Sequence, residues 1–341
     1  MINVAIIGVG YWGPNIARNL AAIDRCRLTV ICDQDTAQAE AIRQRHAPEA
    51  RVVSDIADVV GAADVDAVVL STPILTHFPI GMRVLEAGKH LFVEKPLAAS
   101  VHDCQVLIEA AARRNLVLMV GHVFEYNEAV RWIKDYIAAG ELGRLFYISG
   151  QRLNLGRVQK DVDSLWSFAP HDISIVNYWL GTTAESVSAT GYSYLTKGVR
   201  DVSFLSITYP DDIGVHLHMS WLDPRKVRQI TLIGSKTMLV YDDVNVDAKV
   251  MIYDKGIADL DDYLSTPESF AEFKFRLRTG DVRIPYIRFS EPLAVECRHF
   301  VDCVISGQRP LTDGHNGLAV VRVLEAAQVS LTDNGRRVII A

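Results

Sequence analysis

Three groups of residues could do chemistry in this 341-residue chain: Glu94-Lys95-Pro96, the glycine pattern Gly8-x-Gly10-x-x-Gly13, and Trp166-Ser167-Phe168-Ala169-Pro170-His171-Asp172. An ammonium placed where an apolar strand ends lies near the crevice in which open parallel sheets bind ligands. Pro96 removes one amide donor and biases Lys95 toward an extended backbone, which holds the lysine in one orientation. The same tripeptide also reads as an ordinary surface Lys-Pro turn. Histidine, with an unperturbed pKa near neutrality, suits taking a proton from a hydroxyl as hydride leaves the same carbon. Pro170 fits a first helical turn, which would put His171 and Asp172 at a helix start, facing a cleft. Spacing alone favours the plainer alternative, in which His171 caps or packs the helix and Asp172 complements its dipole. Upstream, Arg152-Leu153-Asn154-Leu155-Gly156-Arg157 carries two arginines suited to a bidentate phosphate or carboxylate contact, or simply to surface solvation.

The glycines have a direct physical reading. Gly8 permits a tight turn, Gly10 lets the backbone approach a pyrophosphate, and Gly13 allows close helix packing, while the following helix presents free amide donors to the anion. A strand pattern at 4–7, a helical pattern at 15–22 and an acid, Asp33, twenty positions beyond Gly13 all agree with a dinucleotide site. Asp33 can accept both ribose hydroxyls of an adenosine and would repel a 2′-phosphate, so NAD is expected rather than NADP. Asp33 could instead be a strand-end turn residue, and Asp35 a helix cap. Ser71-Thr72-Pro73 ends another core strand and is followed by Thr76-His77. That cluster could touch nicotinamide ribose or diphosphate, or merely start a helix. His122 reads as a structural residue bordering the cofactor.

These groups need elements to hold them. Apolar runs at 4–7, 28–32, 52–53, 67–70, 90–93 and 116–120, separated by helical segments, predict a parallel sheet covered on both faces. That first domain is expected to span 1–122. After a linking helix near 127–139, alternating segments at 145–149, 187–194, 202–208, 215–221, 229–233 and 238–241 predict an antiparallel sheet joined by turns. A helical insertion at 169–180, closed by Gly181, and a helical pair at 292–305 and 317–331 complete a second domain over 123–341. The fold class is therefore α/β. Residues 270–287 are the least readable and fit a long excursion or an oligomer contact.

Composition narrows the partners. A net charge of -6 argues against nucleic acid or anionic membrane, so any anionic ligand must be held by local arginines or helix ends. With 49% hydrophobic and 22% charged residues, the chain can bury a sizeable core. No apolar run is long enough to span a bilayer, which points to a cytoplasmic protein. Cys26, Cys32, Cys104, Cys297 and Cys303 lack CxxC spacing and read as reduced structural thiols, and no metal site is expected.

Gly8-x-Gly10-Tyr11-Trp12-Gly13, Asp33, Ser71-Thr72-Pro73 with His77, Glu94-Lys95-Pro96, Tyr126-Asn127 and Pro170-His171-Asp172 together resemble the glucose-fructose oxidoreductase, inositol dehydrogenase and rhizopine-catabolism (Gfo/Idh/MocA) family. The resemblance runs over essentially the whole chain. It implies a Rossmann NAD-binding domain followed by an α/β domain whose large, mainly antiparallel open sheet often forms a homodimer or homotetramer interface. It also implies that Lys95 hydrogen-bonds the reacting oxygen, that Glu94 supports it and that His171 is the catalytic histidine. Tyr11, Trp12, His77 and Glu94 become cofactor-side residues, and Tyr126, Arg152, Asn154, Arg157 and Ser167 substrate-side ones.

One departure matters. The family commonly has an aspartate where this chain has Ser167, four residues before His171. A serine cannot supply an anion to a protonated His171, so the proton relay must be altered or weakened unless Asp163, on the preceding loop, or Asp172 substitutes. The stretches 152–156, 165–166 and 169–175 are similar to members acting on nucleotide-linked sugars. The resulting expectation is an NAD-dependent dehydrogenase or ketoreductase acting at C3 of a nucleotide-linked hexose or hexuronate. Its rivals are an inositol or polyol dehydrogenase, an NAD-dependent glycosidase, and an NAD-binding sensor that has lost turnover.

Overall fold

The structure is a computed structural model that describes residues 1–156, 162–257 and 277–340. The chain divides into two compact units, Met1–Asn127 with Ser290–Glu325, and Glu128–Phe289 with Ala326–Ala341.

In the first unit, β1 (Ile2–Ile7), β2 (Cys26–Cys32), β3 (Arg51–Val53), β4 (Ala67–Leu70), β5 (His90–Glu94) and β6 (Leu118–Gly121) form one sheet in the order β3-β2-β1-β4-β5-β6. Every pairing is parallel. Strand residues such as Val4, Ile6, Val68, Val69, Leu91 and Phe92 are fully buried, as expected when helices cover both faces. Chain order reverses between β1 and β4, and ligands of such sheets bind beyond the strand carboxyl ends at that switch. Around the sheet lie α1 (Gly13–Ala21), α2 (Thr36–His46), α3 (Ile56–Val60), α4 (His77–Glu86) and α5 (Val101–Arg113).

The helix Pro292–Ser306 also packs in this unit, although it lies far beyond the boundary expected after His122. The physical reason is its apolar side: Leu293, Cys297, Phe300 and Val301 belong to the same buried cluster as Ile6, Phe92 and Met119. Phe300 meets Phe92 at 5.5 Å between ring centroids. Glu291, just before that helix, pairs with Arg18 of α1.

In the second unit, α6 (Glu128–Ala138) leads into β7 (Leu145–Leu155), α7 (Ser164–Leu180), β8 (Ser186–Tyr192), β9 (Val202–Tyr209), β10 (Ile213–Ser220), β11 (Leu222–Gly234), β12 (Met238–Asp242), β13 (Val250–Ile257), β14 (Leu277–Arg283) and β15 (Val338–Ile339). Among the described residues these strands form one sheet in the order β14-β13-β12-β11-β7-β10-β9-β8-β15. It is antiparallel except for the parallel pairing of β7 with β10. Strand β7 runs six residues past the expected 145–149, so Arg152 and Asn154 stand on a strand rather than a loop. Strand β14 falls in the stretch that gave no clear sequence pattern.

Helix α7 corrects a sequence expectation. It starts at Ser164, not Ala169, because Asp163 caps it by accepting the Trp166 amide at 3.0 Å. Pro170 is therefore inside the helix rather than in its first turn. Lacking an N–H, it gives up the ladder bond to the residue four positions back. Ile173, Val176 and Trp179 are buried on this helix, with Trp179 edge-on to Tyr241 of β12 at 6.2 Å and donating to the Val130 carbonyl at 2.9 Å. Gly181, with φ of 67°, closes it in the left-handed conformation that suits glycine.

Candidate active site

The glycine turn at the end of β1 is shaped as a cradle. At Gly8 φ is +90° and an added Cβ would lie 2.4 Å from the Ser71 carbonyl oxygen, so the turns after β1 and β4 touch at the switch point. A Cβ on Gly13 would meet the Gly8 oxygen at 2.3 Å, whereas one on Gly10 would meet nothing within 4 Å. The backbone is thus closed where it must turn and open where an anion must approach. Helix α1 follows with Pro14 in its first turn and with neither an acidic residue in that turn nor a side-chain cap, leaving its amide donors for an anion. A dinucleotide pyrophosphate fits this set. Tyr11 is 86% exposed and Trp12 lies beside it at the helix start.

Asp33 stands at the end of β2, half-buried, with Oδ2 accepting the Val9 amide at 2.7 Å and Oδ1 the Asp35 amide at 2.9 Å. These bonds aim the carboxylate beside the glycine turn and leave lone pairs for two more donors. Asp35 caps α2 through the Gln38 amide at 3.0 Å, so the two acids divide the roles the sequence left open.

Ser71, Thr72 and Pro73 end β4. Thr72 and Thr76 hydroxyls hydrogen-bond at 2.6 Å, and Thr76 donates to the Pro73 carbonyl at 2.6 Å. His77 is 1% exposed and both its ring nitrogens sit on main-chain carbonyls, Nδ1 on Pro96 at 2.9 Å and Nε2 on Thr72 at 2.8 Å. It therefore ties the loop after β4 to the loop that carries Lys95. Burial holds its pKa below the ordinary histidine value.

Glu94 ends β5 and opens onto that loop. Burial raises its carboxyl to about 7, opposed by the Lys95 ammonium, the Lys95 amide and a hydrogen bond from Trp12. The Trp12 contact joins the glycine loop directly to the Glu94-Lys95 pair. Gly121 makes room for that carboxyl, since a Cβ there would stand 3.1 Å from it. His122 is buried, its Nδ1 bound to Asn316 Oδ1 at 2.6 Å, and burial lowers its pKa to about 4. Asn316 in turn donates to Glu125 at 3.0 Å. Tyr126 is fully buried with its hydroxyl 3.0 Å from the Thr312 hydroxyl.

In the second unit, Ser167 and His171 lie on α7 four residues apart, on one face of the helix. Arg152 has a partner that its sequence context did not indicate. It is 4% exposed, and its guanidinium donates to Asp172 through Nε at 3.1 and 3.2 Å and through Nη2 at 2.5 Å. Asp172 is thereby committed to an arginine, and Asp163 to capping α7, with burial raising the Asp163 carboxyl. Asn154, half-buried, folds toward Gly156, where an added Cβ would meet its Nδ2 at 2.2 Å. Arg157 lies outside the described residues.

Sequence reasoning missed Asn316, Glu125 and the Arg152–Asp172 pair. Asn316 meets His122 across 194 positions, and no local pattern marks such a contact. Among the described residues no group of three or more His, Cys, Asp or Glu side chains is arranged to hold a metal ion.

Comparison with known proteins agrees with this layout. Residues 2–122 match the GFO/IDH/MocA family profile described as an oxidoreductase family with an NAD-binding Rossmann fold, and residues 130–240 match the GFO/IDH/MocA C-terminal domain. Inositol 2-dehydrogenase of Salmonella typhimurium is 26% identical over 54% of this chain and 56% of its own length. An uncharacterized oxidoreductase of Streptococcus pneumoniae is 28% identical over 58% and 55%. The chain thus spans about half the length of these curated relatives. Among solved structures, UDP-N-acetylglucosamine 3-dehydrogenase GnnA of Acidithiobacillus ferrooxidans superposes with a TM-score of 0.81 at 22% identity, covering 97% of this chain and 98% of that one.

Proposed function

The chain belongs to the GFO/IDH/MocA oxidoreductase family, and from that premise we propose that it is an NAD-dependent dehydrogenase or ketoreductase acting at C3 of a nucleotide-linked hexose or hexuronate. The observation that carries the oxidoreductase reading is the Trp12–Glu94–Lys95 arrangement, in which a carboxyl bonded by Trp12 and by the Lys95 amide feels the Lys95 ammonium. When bound, NAD supplies the hydride acceptor for a carbinol carbon, or as NADH the donor for a ketone. Gly8, Gly10, Gly13 and the α1 amides hold its pyrophosphate, and Asp33 its adenosine ribose. Ser71, Thr72 and Pro73 line its other half, kept in place by His77.

Lys95 donates a hydrogen bond to the reacting oxygen and stabilises its developing negative charge. His171 takes the hydroxyl proton during oxidation and returns it during reduction. Ser167, Asn154 and Arg157 contribute polar groups on the substrate side. The nucleotide-sugar assignment draws support from the likeness to the UDP-N-acetylglucosamine enzyme over nearly the full length of both chains. The inositol 2-dehydrogenase relative favours a second reading, a free polyol as substrate, which would need no diphosphate anchor. No described helix is long and apolar enough to cross a membrane, and we place the enzyme in the cytoplasm as a homo-oligomer joined through the second unit's sheet.

NADH formation with NAD and a panel of UDP-hexoses, UDP-hexuronates, dTDP-hexoses and free inositols tests this. Oxidation of a nucleotide sugar, abolished in Lys95→Ala with NAD binding retained, is the expected result. Oxidation of inositol alone would replace the substrate class. An absence of NADH with every compound, at enzyme concentrations that still bind NAD, would remove the dehydrogenase reading.

A further inference from the structure

We propose that Arg152 is a positioning residue, whose buried fork on Asp172 sets the orientation of the α7 segment bearing His171. The inference rests on the reading of His171 as the proton-exchanging group.

The argument begins with Pro170. Inside α7 it contributes no N–H, so the helix ladder is interrupted one residue before His171. A restraint from outside the ladder can take the place of the missing bond. Asp172, next after His171 and 1% exposed, accepts three hydrogen bonds from Arg152 of β7. A planar guanidinium that engages both oxygens of a carboxylate restrains its direction as well as its distance. Strand β7 is in turn held on both sides, by β11 and by β10. The cross-link therefore ties the weak point of α7 to the middle of the sheet.

The surrounding charges favour this use of the arginine. Asp243, at the end of β12, lies within electrostatic reach of Arg152, accepts the Tyr241 hydroxyl at 3.2 Å and receives Arg228 Nη1 at 3.3 Å. Carboxylates thus flank Arg152 from α7 and from the end of β12. A substrate phosphate would have to displace a buried carboxylate to reach it. Removing one partner of such a pair strands the other charge, so the pair costs more to break than it contributes to net stability. A pair of that kind suits a role in geometry.

Kinetics separate positioning from anchoring. In Arg152→Gln/Asp172→Asn, which leaves no stranded charge, kcat should fall by up to about 10²-fold with KM for the sugar within about twofold, since misplacing a reacting group by an ångström costs about that much. Arg152→Lys should recover part of the lost kcat. NAD affinity, carried by the other unit, should match the parent, and circular dichroism with urea unfolding certifies that the unit holding Arg152 is folded; a double variant that fails the folding check is replaced by Arg152→Lys, read the same way. A raised KM with kcat intact would make Arg152 a substrate anchor and overturn the proposal, as would parental kcat and KM in both variants. His171→Ala, measured alongside, distinguishes the underlying reading: parental turnover there removes the role of His171 itself.

Discussion

Substituting Gly8 by alanine should damage the fold and the cofactor site together, whereas the same change at Gly10 should damage only the cofactor site. At Gly8 the new methyl arrives 2.4 Å from the Ser71 carbonyl oxygen and must move about 1 Å to reach ordinary contact at 3.4 Å. Backbone on both sides must give, because β1 and β4 are paired in register just before it. Overpacking of that kind costs about 1–3 kcal/mol. A φ of +90° adds about 1–2 kcal/mol for any residue with a Cβ. Gly8→Ala should therefore lose about 2–5 kcal/mol of stability without ligand. If the strain displaces one amide from the pyrophosphate, a charge-assisted bond worth about 1.5–3 kcal/mol goes with it. NAD affinity should then fall by about 10- to 100-fold. At Gly10 nothing lies within 4 Å and no positive φ is required, so apo stability should stay within about 0.5 kcal/mol. The methyl nevertheless occupies the approach to the anion, and affinity should fall comparably. Urea unfolding without ligand, paired with calorimetric titration of NAD, reads both quantities. Equal stability of Gly8→Ala and Gly10→Ala, or parental NAD affinity in either, would refute the cradle.

Asp33→Ala should narrow the preference for NAD over NADP, and stronger NADPH binding by the parent protein in parallel titrations would defeat that assignment. Glu94, raised to about 7 from an ordinary 4.5, binds more protons folded than unfolded between those values. Its contribution to stability is therefore full below the unfolded value and is lost as pH rises through about 7. Relative to the parent, Glu94→Gln should gain up to about 3 kcal/mol between pH 4 and pH 8, and a pH-independent difference in urea unfolding would count against the buried carboxyl. Ser167→Asp should raise turnover and shift the acid limb of the kcat profile for oxidation upward by about one pH unit, because an anion one helical turn from His171 favours its protonated form. Unchanged activity with an unmoved profile in a folded Ser167→Asp variant would mean that the site has no need of that carboxylate.

The glycine turn, Asp33 and the runs that became β1, β2, β4 and β5 were legible because each is a local signal: a backbone conformation restricted to glycine, an acid at a strand end, a continuous apolar stretch. The resemblance carried by Glu94-Lys95-Pro96 and Pro170-His171-Asp172 extended that reading to a family, which the profiles over residues 2–122 and 130–240 bear out. Proline at 170 misled, since its preference for first helical turns is statistical and the Asp163 cap started the helix earlier. What tertiary structure alone decided is which polar groups meet. Arg152 reads as a substrate anchor or a solvated surface residue, and only the length of β7 reveals that it meets Asp172, twenty positions away. His77 reads as a cofactor contact or a helix start, and that its nitrogens meet the Thr72 and Pro96 carbonyls appears only in the folded chain. The helix Pro292–Ser306 joins the first unit because its apolar side completes a core that begins at Ile2, and sequence distance does not limit burial. Local conformation follows from neighbouring residues, whereas the partner of a buried charge or an apolar face is settled only when the whole chain has closed around it.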